Sequence, residues 1–153
     1  MRIHCLGGGL VGSFVTRKLH EAGHEVHLYD VCERTTPASF HLGDAALADH
    51  SQADFIVNMV PGSIGHDVLK TLHRQGHRIV DLSFSETTPD QLPDGPGTVL
   101  WDVGIAPGLS NMLVALAHRE HGHLDSVTIK VGGNPAKPDE AWSYMAPFSP
   151  HDV

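Results

Sequence analysis

Short apolar runs alternate with amphipathic stretches through the first part of the chain. Residues 2–6 form an apolar-rich run that enters a glycine cluster, and residues 10–22 then carry apolar side chains at helical spacing. Gly23 is a candidate helix end. Residues 25–30 alternate in part and predict a second strand. A strand–helix–strand unit with so short a crossover predicts parallel strands joined by a right-handed connection.

The same alternation continues after an irregular stretch, 31–43, in which we place a third strand at about residues 39–42. Residues 44–50 predict a short helix. The run 55–60 is apolar apart from Asn58, as is typical of a parallel strand buried on both faces. The remaining predicted elements are a helix from about 64 to Gly76, a strand at 78–82, a loop over 83–97, a strand at 98–103 and a helix at 108–121.

The pattern changes near residues 122–125. In 126–131, apolar and polar residues alternate strictly, which predicts a strand with one solvated face. Because the earlier strands are apolar on both faces, the two kinds of strand indicate two sheets. We therefore predict one domain over residues 1–123 and the beginning of a second α/β domain over 124–153.

Residues 7–12, GGGLVG, carry the strongest local motif in the chain. The pattern G-x-G-x-x-G places glycine where a tight turn, a close approach to a pyrophosphate and tight helix–strand packing require it. The motif follows a predicted strand and opens a predicted helix, and Asp30 ends the second strand, which is the context that the fingerprint demands. The first domain is therefore predicted to be a Rossmann-type doubly wound parallel sheet. The candidate cofactor residues here are Gly7, Gly9, Leu10, Val11, Gly12 and Asp30.

Asp30 also bears on the choice of cofactor. A carboxylate at this position accepts hydrogen bonds from the ribose 2′-OH and repels a 2′-phosphate, so the sequence favours NAD. Arg34 lies close enough along the chain to leave NADP open.

Polar groups also follow the later strands, and ligands of open parallel sheets bind outside the carboxyl ends of the strands. We assign Val60, Pro61 and Ser83 to the cofactor and Asp81 and Asp102 to catalysis. The segment 104–108 feeds a helix N-terminus that could hold a substrate carboxylate. The candidate substrate residues in this segment and in the start of the helix are Pro107, Gly108, Ser110 and Asn111. The alternative for all of these residues is a local role in turns and helix caps.

Composition narrows the classes of function. Ten Lys and Arg against eighteen Asp and Glu give a net charge of -8, which is unfavourable for binding nucleic acid or an anionic membrane. The two cysteines, Cys5 and Cys32, predict reduced thiols in a cytoplasmic protein. There are thirteen histidines, and groups such as 20, 24 and 27 or 118, 121 and 123 lack a recognisable zinc pattern, so we expect solvated surface histidines and no metal.

Several of these segments together resemble the saccharopine dehydrogenase-like family, and most closely its lysine 6-dehydrogenase type. The similarity runs over nearly the whole chain. Besides GGGLVG, it rests on NMVP at 58–61, VDLS at 80–83, WDVGIAPGLSNMLV at 101–114, VGGNP at 131–135 and WSYMAPFS at 142–149. The D-x-G-x-A-P-G-x-x-N block is the most specific part, because generic dinucleotide domains lack it.

The resemblance implies an NAD(P)-dependent oxidoreductase that acts on the amine of an amino acid, with a second domain that closes over the substrate and mediates a homodimer. Family members are more than twice as long, so we expect this chain by itself to have little dehydrogenase activity. Two alternatives stay open. One is a non-catalytic NAD(P)-binding regulatory module, and the other is a relative of the polyamine-forming carboxynorspermidine and homospermidine synthases.

Overall fold

A computed structural model describes residues 1–84 and 87–130 of the chain. The chain folds into two compact units, one spanning Met1–Val103 and the other beginning at Gly104. The predicted domain boundary at residue 123 stays a prediction, because much of the second unit lies outside the described residues. None of the described helices is long and apolar enough to cross a membrane.

The first unit is a six-stranded parallel sheet with two flanking helices. The strand order is β3-β2-β1-β4-β5-β6, and every pair of neighbours is parallel. This is the strand order of the Rossmann fold, and it confirms the predicted fold class. The elements are β1 (Arg2–Leu6), α1 (Leu10–Glu21), β2 (Glu25–Asp30), β3 (Ser39–Leu42), β4 (Phe55–Asn58), α2 (Gly62–Arg74), β5 (Arg78–Asp81) and β6 (Thr98–Leu100). Short 3-10 turns lie at Ala45–Leu47 and Pro89–Gln91.

Apolar side chains form one cluster on each face of the sheet. Alternate residues of β1 point to opposite faces, so that Ile3 and Cys5 join the cluster beneath α1, and Leu6 joins the cluster beneath α2. Leu69 and Leu72 of α2 are completely buried in the second cluster. Burial of a side chain of this size contributes about 1.5–3 kcal/mol to folding. The core therefore lies directly behind the loops that follow β1, β4 and β5.

The third strand occurs where it was predicted, as a short edge strand paired with β2 in parallel. It pairs through only a few residues, and one register pair joins Asp30 with Leu42. The predicted strands at 55–60 and 98–103 both end earlier than expected. In the first case, the chain leaves the sheet at Met59 and Pro61 then caps the N-terminus of α2.

The second unit contains α3 (Ser110–His121), which was predicted over 108–121. The predicted strand at 126–131 is wrong for its described part, because residues 126–130 are not paired in any sheet. Alternation of apolar and polar side chains specifies which face would be buried, but a strand forms only when a partner completes its hydrogen bonds. Val127 and Ile129 are about half exposed instead. Residues 131–153, which include two segments of the family resemblance, lie outside the described residues.

Candidate dinucleotide site

The loop between β1 and α1 is built from glycines that each meet a different constraint. Gly7 has a φ of +88°, which favours glycine, and an added Cβ there would lie 2.8 Å from the carbonyl oxygen of Met59. At Gly12 an added Cβ would lie 1.9 Å from the carbonyl oxygen of Gly7. At Gly9 an added Cβ would meet no atom within 4 Å. Gly7 and Gly12 are therefore required by the packing of the protein itself, whereas Gly9 faces open space.

The N-terminus of α1 is available to an anion. Gly9 caps the helix without any side-chain hydrogen bond to the first turn. The first backbone N–H groups of a helix have no partner within the helix, and the helix dipole makes this end favourable for negative charge. Leu10 and Val11 in the same turn are 86% and 56% exposed. Apolar side chains this open beside a helix N-terminus suit the uncharged parts of a nucleotide.

Asp30 at the end of β2 holds the glycine loop. One carboxylate oxygen accepts hydrogen bonds from the backbone N–H of Gly8 at 2.6 Å and from Nε of Arg34 at 3.1 Å. The other oxygen accepts one from the backbone N–H of Cys32 at 2.7 Å. Burial by itself would raise the pKa of Asp30, but these three donors outweigh it and hold the pKa below its ordinary value. The carboxylate is thus ionised at neutral pH.

These three bonds occupy three of the roughly four acceptor positions of the Asp30 carboxylate, so about one further donor can be accepted. Sequence reasoning did not assign Gly8 to the site, although an added Cβ there would lie 2.9 Å from the side chain of Arg34 and 3.0 Å from Asp30. The signal that could have found it is the glycine at the middle of the run 7–9, since the fingerprint requires glycine only at positions 7 and 9 of that run.

A buried polar network lies at the carboxyl ends of β4 and β5. Asp81 is completely buried and accepts hydrogen bonds from Nδ2 of Asn58 at 2.7 Å and from Oγ of Ser83 at 2.9 Å and 3.0 Å. Burial raises the pKa of Asp81, and the nearby carboxylate of Asp102 adds to the increase. Nδ2 of Asn58 also donates to the carbonyl oxygen of Gly65 in α2, so this network ties the two strand ends to the helix.

The network includes two predicted site residues, Asp81 and Ser83. Asp81 and Ser83 hydrogen-bond to each other beneath the surface, where neither can touch a ligand without rearrangement. This geometry favours a positioning role, and their assigned roles in catalysis and cofactor binding stay predictions. Val60 is buried and Pro61 is exposed at the start of α2, so only Pro61 presents a surface to a ligand.

Asp102 follows β6 and has an unusual backbone conformation. Its φ is +51°, in the left-handed region that aspartate tolerates better than most residues. Burial raises the pKa of its side chain, although the residue retains partial exposure. The backbone N–H of the next residue, Val103, donates to the carbonyl oxygen of Asp81 at 2.8 Å, which holds the end of β6 against β5. Asp102 is therefore the more accessible of the two predicted catalytic carboxylates.

The four predicted substrate residues belong to the second unit. Oδ1 of Asn111 accepts hydrogen bonds from the backbone N–H of Gly108 at 3.1 Å and from Oγ of Ser110 at 3.3 Å. Gly108 has a φ of +119°, and Pro107 precedes it in an extended conformation. The side chain of Asn111 thus stabilises the turn before α3. A substrate role for these residues stays a prediction.

The prediction that the histidines lie on the surface is wrong for His27, which is 9% exposed. In the described part of the chain, five histidines are buried. His20, His118, His121 and His123 are exposed, as expected. Among the described residues, no group of three His, Cys, Asp or Glu side chains has an arrangement that could hold a metal ion. Both cysteines are free thiols, and burial raises the pKa of Cys5 to about 11.

No protein-family profile matches this sequence. Among solved structures, the AMP-bound Kef CTD of Shewanella denitrificans is 17% identical, with 80% of this chain and 83% of that chain covered and a TM-score of 0.50. A D-isomer specific 2-hydroxyacid dehydrogenase from Xanthobacter autotrophicus, in complex with NADPH and MES, is 18% identical over 81% of this chain and 68% of that chain, with a TM-score of 0.47.

Pyrroline carboxylate reductase of Plasmodium falciparum, with NADP bound, is 19% identical, with a TM-score of 0.46. The match covers 54% of this chain but only 33% of the length of that reductase. At these identities the likeness concerns the fold alone.

Proposed function

We propose that the chain binds NAD(P), with the cofactor's pyrophosphate above Gly9 at the N-terminus of α1. The observation that carries this proposal is the combination of an open, uncapped helix N-terminus with an ionised carboxylate held 2.6 Å from the same loop. A glycine turn with only a structural role would explain Gly7 and Gly12, but it would not explain a glycine whose Cβ position is empty. Calorimetric titration with NADH and NADPH tests the proposal directly.

Within this proposal, Asp30 selects NAD over NADP, because its carboxylate repels a 2′-phosphate. Arg34 opposes that selection, since its guanidinium pairs with the same carboxylate and is the cation nearest to it in the sequence and the structure. The balance between the two charges therefore sets the preference.

Asp30→Ala should narrow the preference for NAD over NADP, and Arg34→Ala should widen it, each by about tenfold, which corresponds to about 1.4 kcal/mol. The ratio of the two dissociation constants is the quantity to measure, because the loss of the hydrogen bond to Gly8 weakens binding of both cofactors alike. Equal or reversed affinities in the unmodified protein would remove Asp30 from its assigned role.

We further propose that the protein is the cofactor-binding part of an oxidoreductase that oxidises the amine of an amino acid. The resemblance to lysine and saccharopine dehydrogenases supports this proposal. The bound cofactor would accept the hydride. Asp102 would pair with the substrate ammonium or take its proton, because burial has raised its pKa toward the range that suits an acid–base group. Asp81 would hold the strand ends in place. The turn at Pro107 and Gly108, in the second unit, stays a candidate for binding a carboxylate.

In a form of the protein that oxidises its substrate, Asp102→Asn should lower kcat/KM by at least about 10²-fold, while the affinity for the cofactor stays unchanged. This factor is the low end of the effect of losing an acid–base group. Asparagine preserves the shape of the side chain and also tolerates the left-handed backbone. Asp94→Asn, in the exposed loop before β6, is the matched control and should leave turnover unchanged. Equal turnover in the Asp102 variant would make this residue structural.

The second candidate is a non-catalytic nucleotide-binding module. It is favoured by the complete burial of Asp81, which leaves Asp102 as the only predicted catalytic carboxylate with any exposure. Assays with lysine and saccharopine separate the candidates: cofactor reduction supports the enzyme, whereas tight cofactor binding without turnover in a longer form of the protein supports the module. Activity with carboxynorspermidine would instead favour the polyamine-forming relatives. A homodimer is the assembly that we propose for the enzyme.

A further inference from the structure

Four histidines and a tyrosine form a continuous cluster on the sheet face that also carries α2. They come from three adjacent strands and from the segment before β4, and we call them the histidine cluster: His4, His27, Tyr29, His41 and His50. The ring of His4 lies 5.1 Å from the rings of His27, Tyr29 and His50. His4 and His50 are 3% and 1% exposed. The proposed cofactor site makes no use of these residues.

The hydrogen bonds of His50 determine which ring nitrogens carry protons. Nε2 of His50 lies 2.8 Å from the carbonyl oxygen of Ala45, which can only accept, so this nitrogen carries the hydrogen. In a neutral ring, Nδ1 of His50 is then an acceptor. Nδ1 of His4 lies 2.8 Å away and must therefore donate. This leaves Nε2 of His4 without a hydrogen, and this buried atom has no partner among the described residues.

An added proton has no suitable place in this pair. A proton on Nδ1 of His50 would point at the N–H of His4, unless the hydrogen of His4 moved to its Nε2. That nitrogen is buried and faces no acceptor within the described residues, so the resulting N–H would be unsatisfied. Either arrangement also places a positive charge on a buried ring. The closed geometry thus requires both rings to be neutral.

Neighbouring charges reinforce this requirement. Burial lowers the pKa of His4 from 6.5 to about 4, and His50, His27, Arg2 and His41 contribute in that order. Burial also lowers the pKa of His50, although its bond to Ala45 opposes the shift. The titratable or charged groups that face the pair are Arg2 from β1, Glu25, His27 and Tyr29 from β2, His41 from β3, Asp49 beside His50, and His77 before β5. Only Asp49 and Glu25 are acidic, and both are exposed.

His50 lies in residues 44–54, which connect β3 to β4 and include the 3-10 turn. Asp54 attaches the end of this segment to β1: its backbone N–H donates to the carbonyl oxygen of Arg2 at 2.8 Å, and its carboxylate accepts from the backbone N–H of Arg2 at 2.7 Å. Ala45 lies in the core, and Ala46, Ala48 and Ala53 pack against it. The buried side-chain hydrogen bond to the sheet is the one between His50 and His4. We propose that residues 44–54 form an acid-released latch, which is closed on the sheet only while His4 and His50 are both neutral. Release of the latch would uncover this face of the sheet at the amino-terminal ends of the strands.

The direction of the pH dependence follows from proton linkage. The pKa values of both histidines are lower in the closed state than the ordinary 6.5, so the open state binds more protons. The closed state is fully favoured above about 6.5 and loses stability as the pH falls from there toward about 4. Uptake of two protons would raise the opening constant by at most about 100-fold per pH unit, and by less near pH 6.5, where the open state is only partly protonated.

Hydrogen–deuterium exchange of the whole chain at pH 7, 6 and 5, corrected for the intrinsic rate of exchange, tests the latch. We expect protection in residues 44–54 to fall by more than about tenfold between pH 7 and pH 5. Protection in α1, which is remote from the cluster, should not change over the same range. Protection in 44–54 that is independent of pH would overturn the proposal, and so would an equal loss throughout the first unit.

Variants identify the proton acceptors. His50→Gln keeps a side-chain N–H donor but does not titrate, so the pH dependence in residues 44–54 should be lost or halved. His20→Gln removes an exposed histidine from α1 and should retain the full dependence. Because the His50 variant could fail to fold, ¹⁵N NMR of the histidine rings in the unmodified protein supplies a second measurement. The ring of His4 should stay neutral at pH 6, and its titration near 6.5 would overturn the proposal.

Discussion

Gly9→Val should abolish dinucleotide binding while the protein stays folded. The position has a φ of -64°, which any residue adopts, and an added Cβ meets no protein atom within 4 Å. A valine side chain would therefore project into the space that we assign to the pyrophosphate. We expect the affinity for NADH and for NADPH to fall at least about 100-fold, or about 2.8 kcal/mol.

Calorimetric titration measures this loss, and a thermal unfolding curve checks the fold. The free energy of unfolding should change by less than about 1 kcal/mol, the scale of replacing glycine at a helix N-cap. Ala22→Val, an exposed site at the other end of α1, is the matched control and should bind both cofactors normally. Normal binding by the Gly9 variant would exclude the pyrophosphate from this loop and would remove the main support for the proposed function.

Gly12→Ala should destabilise the fold, although helix propensity alone predicts the opposite. Alanine is favoured over glycine inside a helix by about 1 kcal/mol. The added Cβ at residue 12, however, would lie 1.9 Å from the carbonyl oxygen of Gly7, a backbone atom that cannot rotate away. We expect a net loss of at least about 3 kcal/mol, at the upper end of the cost of overpacking.

For a chain of this size, such a loss lowers Tm by roughly 6–12 °C. Gly9→Ala is the matched control, because it adds the same methyl group three residues earlier, where there is space. Its Tm should stay close to that of the unmodified protein. A Gly12 variant at least as stable as the unmodified protein would mean that α1 and β1 do not pack as closely as the structure has them.

Gly9 and Gly12 are the same type of residue, and both belong to the G-x-G-x-x-G fingerprint. The fingerprint predicted correctly that one of them serves packing, because the strand–turn–helix connection has nearly the same geometry wherever it occurs. The clamp of Asp30 on Gly8 was less predictable. It depends on where the carboxylate of Asp30 lies relative to the glycine loop, and that position is set by contacts rather than by spacing along the chain.

The two carboxylates that were predicted to be catalytic show a different limit of sequence patterns. The sequence placed Asp81 correctly at the end of β5, because an apolar run followed by polar residues marks the carboxyl edge of a parallel sheet. Asp102 was placed in a strand predicted over 98–103, but β6 ends at Leu100, so Asp102 lies in the segment that follows the strand. The sequence could not distinguish a buried carboxylate from an accessible one. Asn58 and Ser83 enclose Asp81, and they are brought to it by the pairing of β4 with β5 and by the turn that follows.

The sequence by itself determined the order of the elements in the first unit and the type of most of them, because helical and strand periodicities are local and glycine and proline mark their ends. The exception is the helix predicted over residues 44–50, where the chain forms only a 3-10 turn at Ala45–Leu47. The tertiary structure alone decided which of these residues meet. His4, His27 and His41 become neighbours only through the parallel register of β1, β2 and β3, and residues 126–130 alternate like a strand but are unpaired. Local patterns record the exposure that a side chain prefers, whereas hydrogen bonds, buried charges and strand partners depend on segments that are distant in the chain.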